Sequence, residues 1–287
     1  MTDIIWAAIF VLVAPVIGGL IAGIDRKITA HMQGRVGPSV FQPFYDVGKL
    51  FEKESAVVDE SQVFYAICYV IFMMFTGALF FGGGDLLLVI FALTLSQVFL
   101  VLGAYAANSP YSHVGAEREL LQIMAYEPMV ILTVVGLYAA TRSFNVWEIA
   151  SSAVPVVLII PGIFLGFLYT LTIKLRKSPF DLSTSHHAHQ EIVKGVTTEY
   201  SGPSLALIEI THWYETILLL GFLFLFFGWY PLLGVIAVIM LYLLEILIDN
   251  TNARVRWQFA VKSSWLIAVI VGVANLAALY FLGGGVA

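Results

Sequence analysis

Four glutamates, Glu127, Glu209, Glu215 and Glu245, stand within runs of residues apolar enough to cross a bilayer. An ionised acid at the bilayer centre costs about 2.5–3.5 kcal/mol on insertion scales. Such acids face a bundle interior, a partner or a water path. Loss of water also raises a carboxyl toward the range where it exchanges protons near neutral pH. The chemistry these residues offer is proton relay. Glu209, His212 and Glu215 recur in steps of three in "LIEITHWYETI". Three residues climb about 4.5 Å, so the trio makes an oblique polar ladder about 9 Å long on one helix. The plainer alternative is that basic or amide groups pair with them and that they are structural.

Glu127 precedes Pro128. Residues 128–140 make only about 20 Å of helix, too little to span, so the helix is expected to start near Glu117–Glu119. Pro128 frees the carbonyl of Met124. Arg118, on the same helix, is the candidate counter-ion. Glu245 lies one turn from Asp249 and is expected to reach water at the span's end.

A further titratable group is "STSHHAHQE", with His186, His187, His189 and Glu191. Metal binding, proton transfer or partner contact, and a solvated loop all remain open. The spacing fixes no complete tetrahedral ligand set, and no metal is expected. The single cysteine, Cys68, cannot hold an iron–sulfur cluster, which takes about four thiolates. No haem-attachment motif or glycine-rich nucleotide loop is present. Electron carriers, if the protein serves electron transfer, belong to partner subunits.

The elements that must position these groups follow from composition. The chain has 287 residues, 60% hydrophobic and 11% charged, against roughly 25% charged in soluble domains. Eight candidate spans are predicted, about 4–24, 63–82, 86–107, 119–140, 155–173, 204–227, 231–248 and 265–283. Backbone groups in hydrocarbon must pair internally, so the expected fold is an all-α integral membrane bundle of eight transmembrane helices. The whole of 1–287 reads as one transmembrane domain.

Thirteen of the fourteen Lys and Arg fall in segments 25–62, 108–122, 174–203 and 249–264, which connect alternate spans. The positive-inside rule makes those segments cytoplasmic and puts the N-terminus outside, in a prokaryotic plasma membrane. Twelve acids share that side, which the rule does not explain. Docking of a partner does.

Four ordered motifs carry a resemblance. "GRVGPSVFQPFYDVGKLFEKE" has Gly34, Arg35, Gly37, Pro38, Gln42, Pro43, Asp46, Lys49, Leu50, Lys53 and Glu54 at matching places. Phe41, Phe44, Val47, Leu50 and Phe51 recur there at helical spacing, which predicts an amphipathic interfacial helix. "SHVGAERELLQIMAYEP" contributes Gly115, Arg118, Gln122, Tyr126 and Glu127. "PFDL…QEIVKGVTTEYSGP" contributes Asp181, Glu191, Gly195, Glu199, Tyr200 and Gly202. "DNTNARVRW" contributes Ala253 and Arg254. Together they resemble the H subunit family of respiratory complex I over nearly the whole chain.

Where that family carries dense acids after P-F-D-L, this chain has histidines. That form is similar to the membrane subunit of Ech-type energy-converting NiFe hydrogenases and their formate hydrogenlyase relatives. The resemblance implies a non-catalytic anchoring and coupling subunit, with a nickel–iron (NiFe) centre and 4Fe-4S clusters in its partners. Those partners would be NiFe hydrogenase large and small subunits, a ferredoxin-like iron–sulfur subunit and an antiporter-like membrane subunit, set in membrane lipid; no nucleic acid is expected. Ferredoxin-dependent proton reduction, or hydrogen oxidation, would shift the charge on Asp181, Glu191 and Glu199. Glu209, His212, Glu215, Glu127 and Glu245 would then re-titrate and drive proton or sodium movement. Arg35, Asp46, Lys49, Arg118, His186, His187, His189 and Arg254 would serve the loops and the docking interface. Alternatives are a complex I H subunit with a quinone site, a stand-alone cation/proton transporter, and a plain structural anchor.

Overall fold

The computed structural model describes residues 2–54, 60–183 and 194–283. His186, His187, His189 and Glu191 lie outside them. The described residues form α1 (Thr2–Met32), α2 (Gln42–Glu52), α3 (Glu60–Phe81), α4 (Leu86–Ala106), α5 (Pro110–Thr141), α6 (Val146–Ala150), α7 (Val156–Ile159), α8 (Pro161–Lys174), α9 (Gly202–Leu225), α10 (Pro231–Thr251), α11 (Trp257–Ile267) and α12 (Ala274–Gly283). A π-helical turn, Ala268–Val273, joins α11 to α12 as one span. Among the described residues seven helices are long and apolar enough to cross a membrane, and α8 is a shorter apolar helix. The expected span 155–173 is thus built from α7 and α8, broken at Ile160.

Proline sets many starts. It occupies the first or second position of α2, α5, α8, α9 and α10, where a missing N–H costs nothing. Asp85 caps α4, accepting from the backbone N–H of Leu87 at 2.8 Å and Leu88 at 3.3 Å.

Three predicted boundaries are corrected. α1 continues to Met32, so Asp25, Arg26 and Lys27 lie on a helix and not in a loop. α5 begins at Pro110, a proline start well before Glu117, and segment 108–122 is mostly helical. The last span begins at Trp257, leaving only about 252–256 as its connector. In each case the polar end of a helix carries too few apolar residues for hydropathy to register it, yet its backbone continues the helix.

α4, α5 and α9 are the most buried long helices, and α1, α10 and the last span the least. One apolar cluster, including Tyr69, Met73, Leu100, Met129, Ile163, Leu171 and Phe222, runs through the centre. The amphipathic α2 seats Val47, Phe44 and Leu50 against Trp213, Ala206 and Ile210 of α9, while Phe41, Tyr45 and Phe51 stay exposed. The chain leading into α2 also lies tightly on α1: a Cβ on Gly23 would come within 1.8 Å of the Val40 carbonyl oxygen.

Pro15 and Pro128 lie inside α1 and α5. Each frees the carbonyl four residues before it. The Tyr214 hydroxyl donates to Val11 O at 2.6 Å, and the Trp265 indole N–H donates to Met124 O at 3.1 Å.

Candidate coupling site

Beyond α8 the chain does not leave the bundle directly. Phe180, Asp181, Leu182 and Ser183 are all buried, without regular structure. Irregular backbone at that depth is tolerated only where protein groups satisfy it. They do. Asp249 accepts from Ser178 N–H at 2.8 Å. Val255 N–H donates to Pro179 O at 3.1 Å and Val196 N–H to Ser183 O at 3.0 Å. Gln122 donates to Phe180 O at 2.5 Å, Arg254 to Asp181 O, and Arg118 to Leu182 O at 3.3 Å. Arg254 also pairs with the Asp181 carboxylate at 3.4 Å. Arg118 and Gln122 are four residues apart and so share a face of α5. Gly115 lies at a close approach on the same helix, where a Cβ would stand 2.3 Å from Val196 N.

This segment begins with two cations, and each holds a carboxylate. Lys174 Nζ lies 3.5 Å from Glu215 Oε1 and 4.3 Å from the centre of the Tyr126 ring. Arg176 pairs with Glu119 Oε1 at 3.0 Å and bonds His212 Nε2. Gln97 of α4 donates to Glu215 at 2.8 Å. Lys174, Glu119 and Glu215 are buried. Two acids thus meet two bases, which keeps the charge balanced where water is scarce. The lining residues Gln97, Glu119, Gln122, Tyr126, Lys174, Arg176 and Glu215 enclose about 10 Å³, roughly the room one water needs. Gln97 Oε1, Gln122 Oε1 and Glu119 Oε2 are buried there with no donor among the described residues. A lining so rich in acceptors offers partners for one water between Glu119 and Glu215.

A second cluster holds the next cation. Lys177 bonds Asp25 of α1 and reaches Asp249 of α10 at 3.2 Å, and Tyr242 donates to Asp25 at 3.2 Å. Burial alone would lower the Lys177 pKa, but Asp25 and Asp249 outweigh it and raise it above the ordinary lysine value. The stability that Lys177 adds is therefore complete below its unfolded pKa of about 10.4 and lost as pH rises through the higher folded value. Thermal unfolding at pH 8 and above pH 11 checks this: the deficit of Lys177→Met relative to the native chain is expected to shrink at the higher pH.

The structure brings His212 and Glu215 together in the first cluster and leaves Glu209 out. Glu209 is half-buried and has no hydrogen bond or ion pair among the described residues. Glu127 accepts from Thr94 of α4 at 2.7 Å. It does not take Arg118 as counter-ion, because nine residues put the two about 13.5 Å apart along α5 and on opposite faces. Glu245 does not reach water: it is 2% exposed, with Thr172, Lys177 and Asp249 nearby. Glu199 is half-buried, on the connector before α9.

Asp46 on α2 pairs with Arg26 at 2.7 Å and accepts from Gln42 at 2.8 Å. Partial burial opposes its ionisation, but Gln42, Arg26 and the charge of Lys49 together hold its pKa below the usual carboxylate value. Arg35 donates to Gln33. Among the described residues no group of three His, Cys, Asp or Glu side chains is placed to hold a metal ion.

Sequence reading missed Glu119, Lys174, Arg176, Gln97 and Asp25. Glu119, Gln122 and Tyr126 recur at i, i+3 and i+7, which marks one face of α5 and was the available signal.

Residues 4–280 match the family described as NADH dehydrogenase. The chain belongs to this NADH dehydrogenase family, of the H-subunit-like kind. Hydrogenase-4 component C of Escherichia coli (strain K12) is 28% identical to this family member over 86% of this chain and 87% of its own length. The H subunit of NADH-quinone oxidoreductase from Anoxybacillus flavithermus is 30% identical over 88% of this chain and 85% of its own. The fold also matches a chain in the structure of the membrane-bound sulfane sulfur reductase, an archaeal respiratory membrane complex. The TM-score is 0.82 at 22% identity, covering 96% of this chain and 100% of that one. This H-subunit-like family member is thus a multi-pass membrane component of an energy-converting complex, of the NADH-quinone oxidoreductase or hydrogenase-4 type.

Proposed function

We propose that the chain anchors and couples an energy-converting hydrogenase. Its partners are NiFe hydrogenase large and small subunits, a ferredoxin-like iron–sulfur subunit and an antiporter-like membrane subunit. The NiFe centre and 4Fe-4S clusters reside in those partners. Segment 174–203 lies on the cytoplasmic side of the plasma membrane, under the soluble arm, and the N-terminus lies outside. One observation carries the coupling role: the end of α8 and the chain just after it supply both cations, Lys174 and Arg176, that hold Glu215 and Glu119. A redox event that shifts this segment changes the affinity of both carboxyls for protons. One pKa unit is worth about 1.36 kcal/mol, and moving one charge across 100 mV about 2.3 kcal/mol. A change of roughly two units is therefore enough. The hydrogenase branch is supported by the likeness to hydrogenase-4 component C and by the "STSHHAHQE" form of the loop.

Glu215→Gln in membrane vesicles tests the reading. Hydrogen turnover is expected to persist while ion uptake per hydrogen falls, because a glutamine at that position cannot carry a proton. Full coupling with normal turnover would remove Glu215 from the path. The second reading, a quinone-reducing complex, is favoured by the 30% identity to an NADH-quinone oxidoreductase component. It is chosen instead if the solubilised complex carries a nucleotide-binding flavoprotein arm and no nickel.

A further inference from the structure

α1 has 31 residues, about 46 Å of helix, and so outruns a hydrocarbon layer of about 30 Å. Its exposed apolar face runs from Ile4 and Trp6 through Leu12, Val13 and Ile17 to Ile24. About twenty residues span the hydrocarbon, so a helix entering at Ile4 leaves it near Ile24. Lys27 then stands about 4.5 Å beyond the boundary and His31 about 10.5 Å beyond. The headgroup layer is about 5–7 Å deep on each side, which places Lys27 within it and His31 one helical turn further out, on its aqueous side.

At this level α1 and the chain entering α2 form an open groove of about 300 Å³, lined by Ile24, Lys27, Ile28, His31, Met32 and Val40. The α1 residues repeat at helical spacing and make one stripe. Val40 is held against the helix by the close approach at Gly23. The floor is apolar and the rim is basic. Lys27 Nζ has no hydrogen bond or ion pair among the described residues. The neighbouring acid, Asp46, is already taken by Arg26 and Gln42. The His31 Nδ1–H donates to Lys27 O at 2.7 Å, which leaves Nε2 for a second polar contact.

We propose that this groove binds one anionic phospholipid with a hydroxyl-bearing headgroup. The phosphate pairs with Lys27, a headgroup hydroxyl hydrogen-bonds to His31 Nε2, and the first acyl carbons lie along Ile24, Ile28 and Val40. The charge complementarity selects an anion, the apolar floor selects a chain-bearing molecule, and the depth along α1 selects a lipid over a soluble phosphate.

The test is lipid retention by the intact solubilised complex, read by native mass spectrometry after titration with phosphatidylglycerol or phosphatidylcholine. One phosphatidylglycerol per complex is expected to survive where phosphatidylcholine does not. Lys27→Gln should weaken that retention about fivefold, the usual effect of one cation at an anionic surface. Lys262→Gln should leave it unchanged. Ile28→Trp, which fills the groove and keeps both polar groups, should also abolish retention. Equal retention of phosphatidylcholine, indifference to Lys27→Gln, displacement by inorganic phosphate alone, or displacement by a neutral prenylquinone would each overturn the assignment.

Discussion

Arg176→Gln is expected to destabilise the protein by about 3–5 kcal/mol, the cost of removing one partner from a buried ion pair. Arg176 faces both Glu119 and His212. Its loss leaves the Glu119 carboxylate, 3% exposed, with no cation in contact. Arg176→Lys should recover little, because an ammonium lacks the planar fork that reaches two partners at once. The double variant Arg176→Gln/Glu119→Gln should recover most of the stability, since it removes both charges. Thermal unfolding of the complex in detergent decides the matter. A double variant no better than Arg176→Gln would show that the pair is not what holds α5 to the segment after α8.

The second large effect comes from one methyl group. Gly23→Ala places a Cβ 1.8 Å from the Val40 carbonyl oxygen. That atom belongs to backbone, so no rotamer change relieves the contact, and the entry into α2 must shift. A cost of about 3 kcal/mol is expected, the upper end for overpacking. Gly48→Ala, on α2, supplies the contrast. Nothing lies within 4 Å of its Cβ position, so the better helix propensity of alanine should stabilise by up to about 1 kcal/mol. Opposite signs for the two substitutions, read as shifts in unfolding temperature, are the expected result; a neutral Gly23→Ala would mean that α2 is not seated on α1.

Hydropathy made the bundle and the amphipathic α2 legible, because spans in lipid announce themselves by length alone. It missed helix ends, where polar residues such as Asp25, Arg26 and His113 continue a helix that their composition disguises. Intramembrane acids were legible as acids. Their partners were not, since Lys174 and Arg176 sit in what reads as an ordinary basic loop until the backbone folds it inward. The ladder of Glu209, His212 and Glu215 was correctly placed on one helix, but spacing cannot say which rung meets a neighbour. The motif residues Arg118, Gln122 and Arg254 make the same point. Arg118 and Arg254 read as counter-ion or docking groups and Gln122 only as a motif position, and the structure shows the three clamping successive carbonyls.

The two prolines set limits on how the bundle moves. Tyr214 ties α9 to α1 at Val11, and Trp265 ties α11 to α5 at Met124. Sliding either helix past its mate would strand a carbonyl in hydrocarbon, a loss of about 1–3 kcal/mol with no solvent to make it good. These helices therefore travel as braced couples. A stroke that starts at one end of such a couple arrives at the other as tilt rather than as slip.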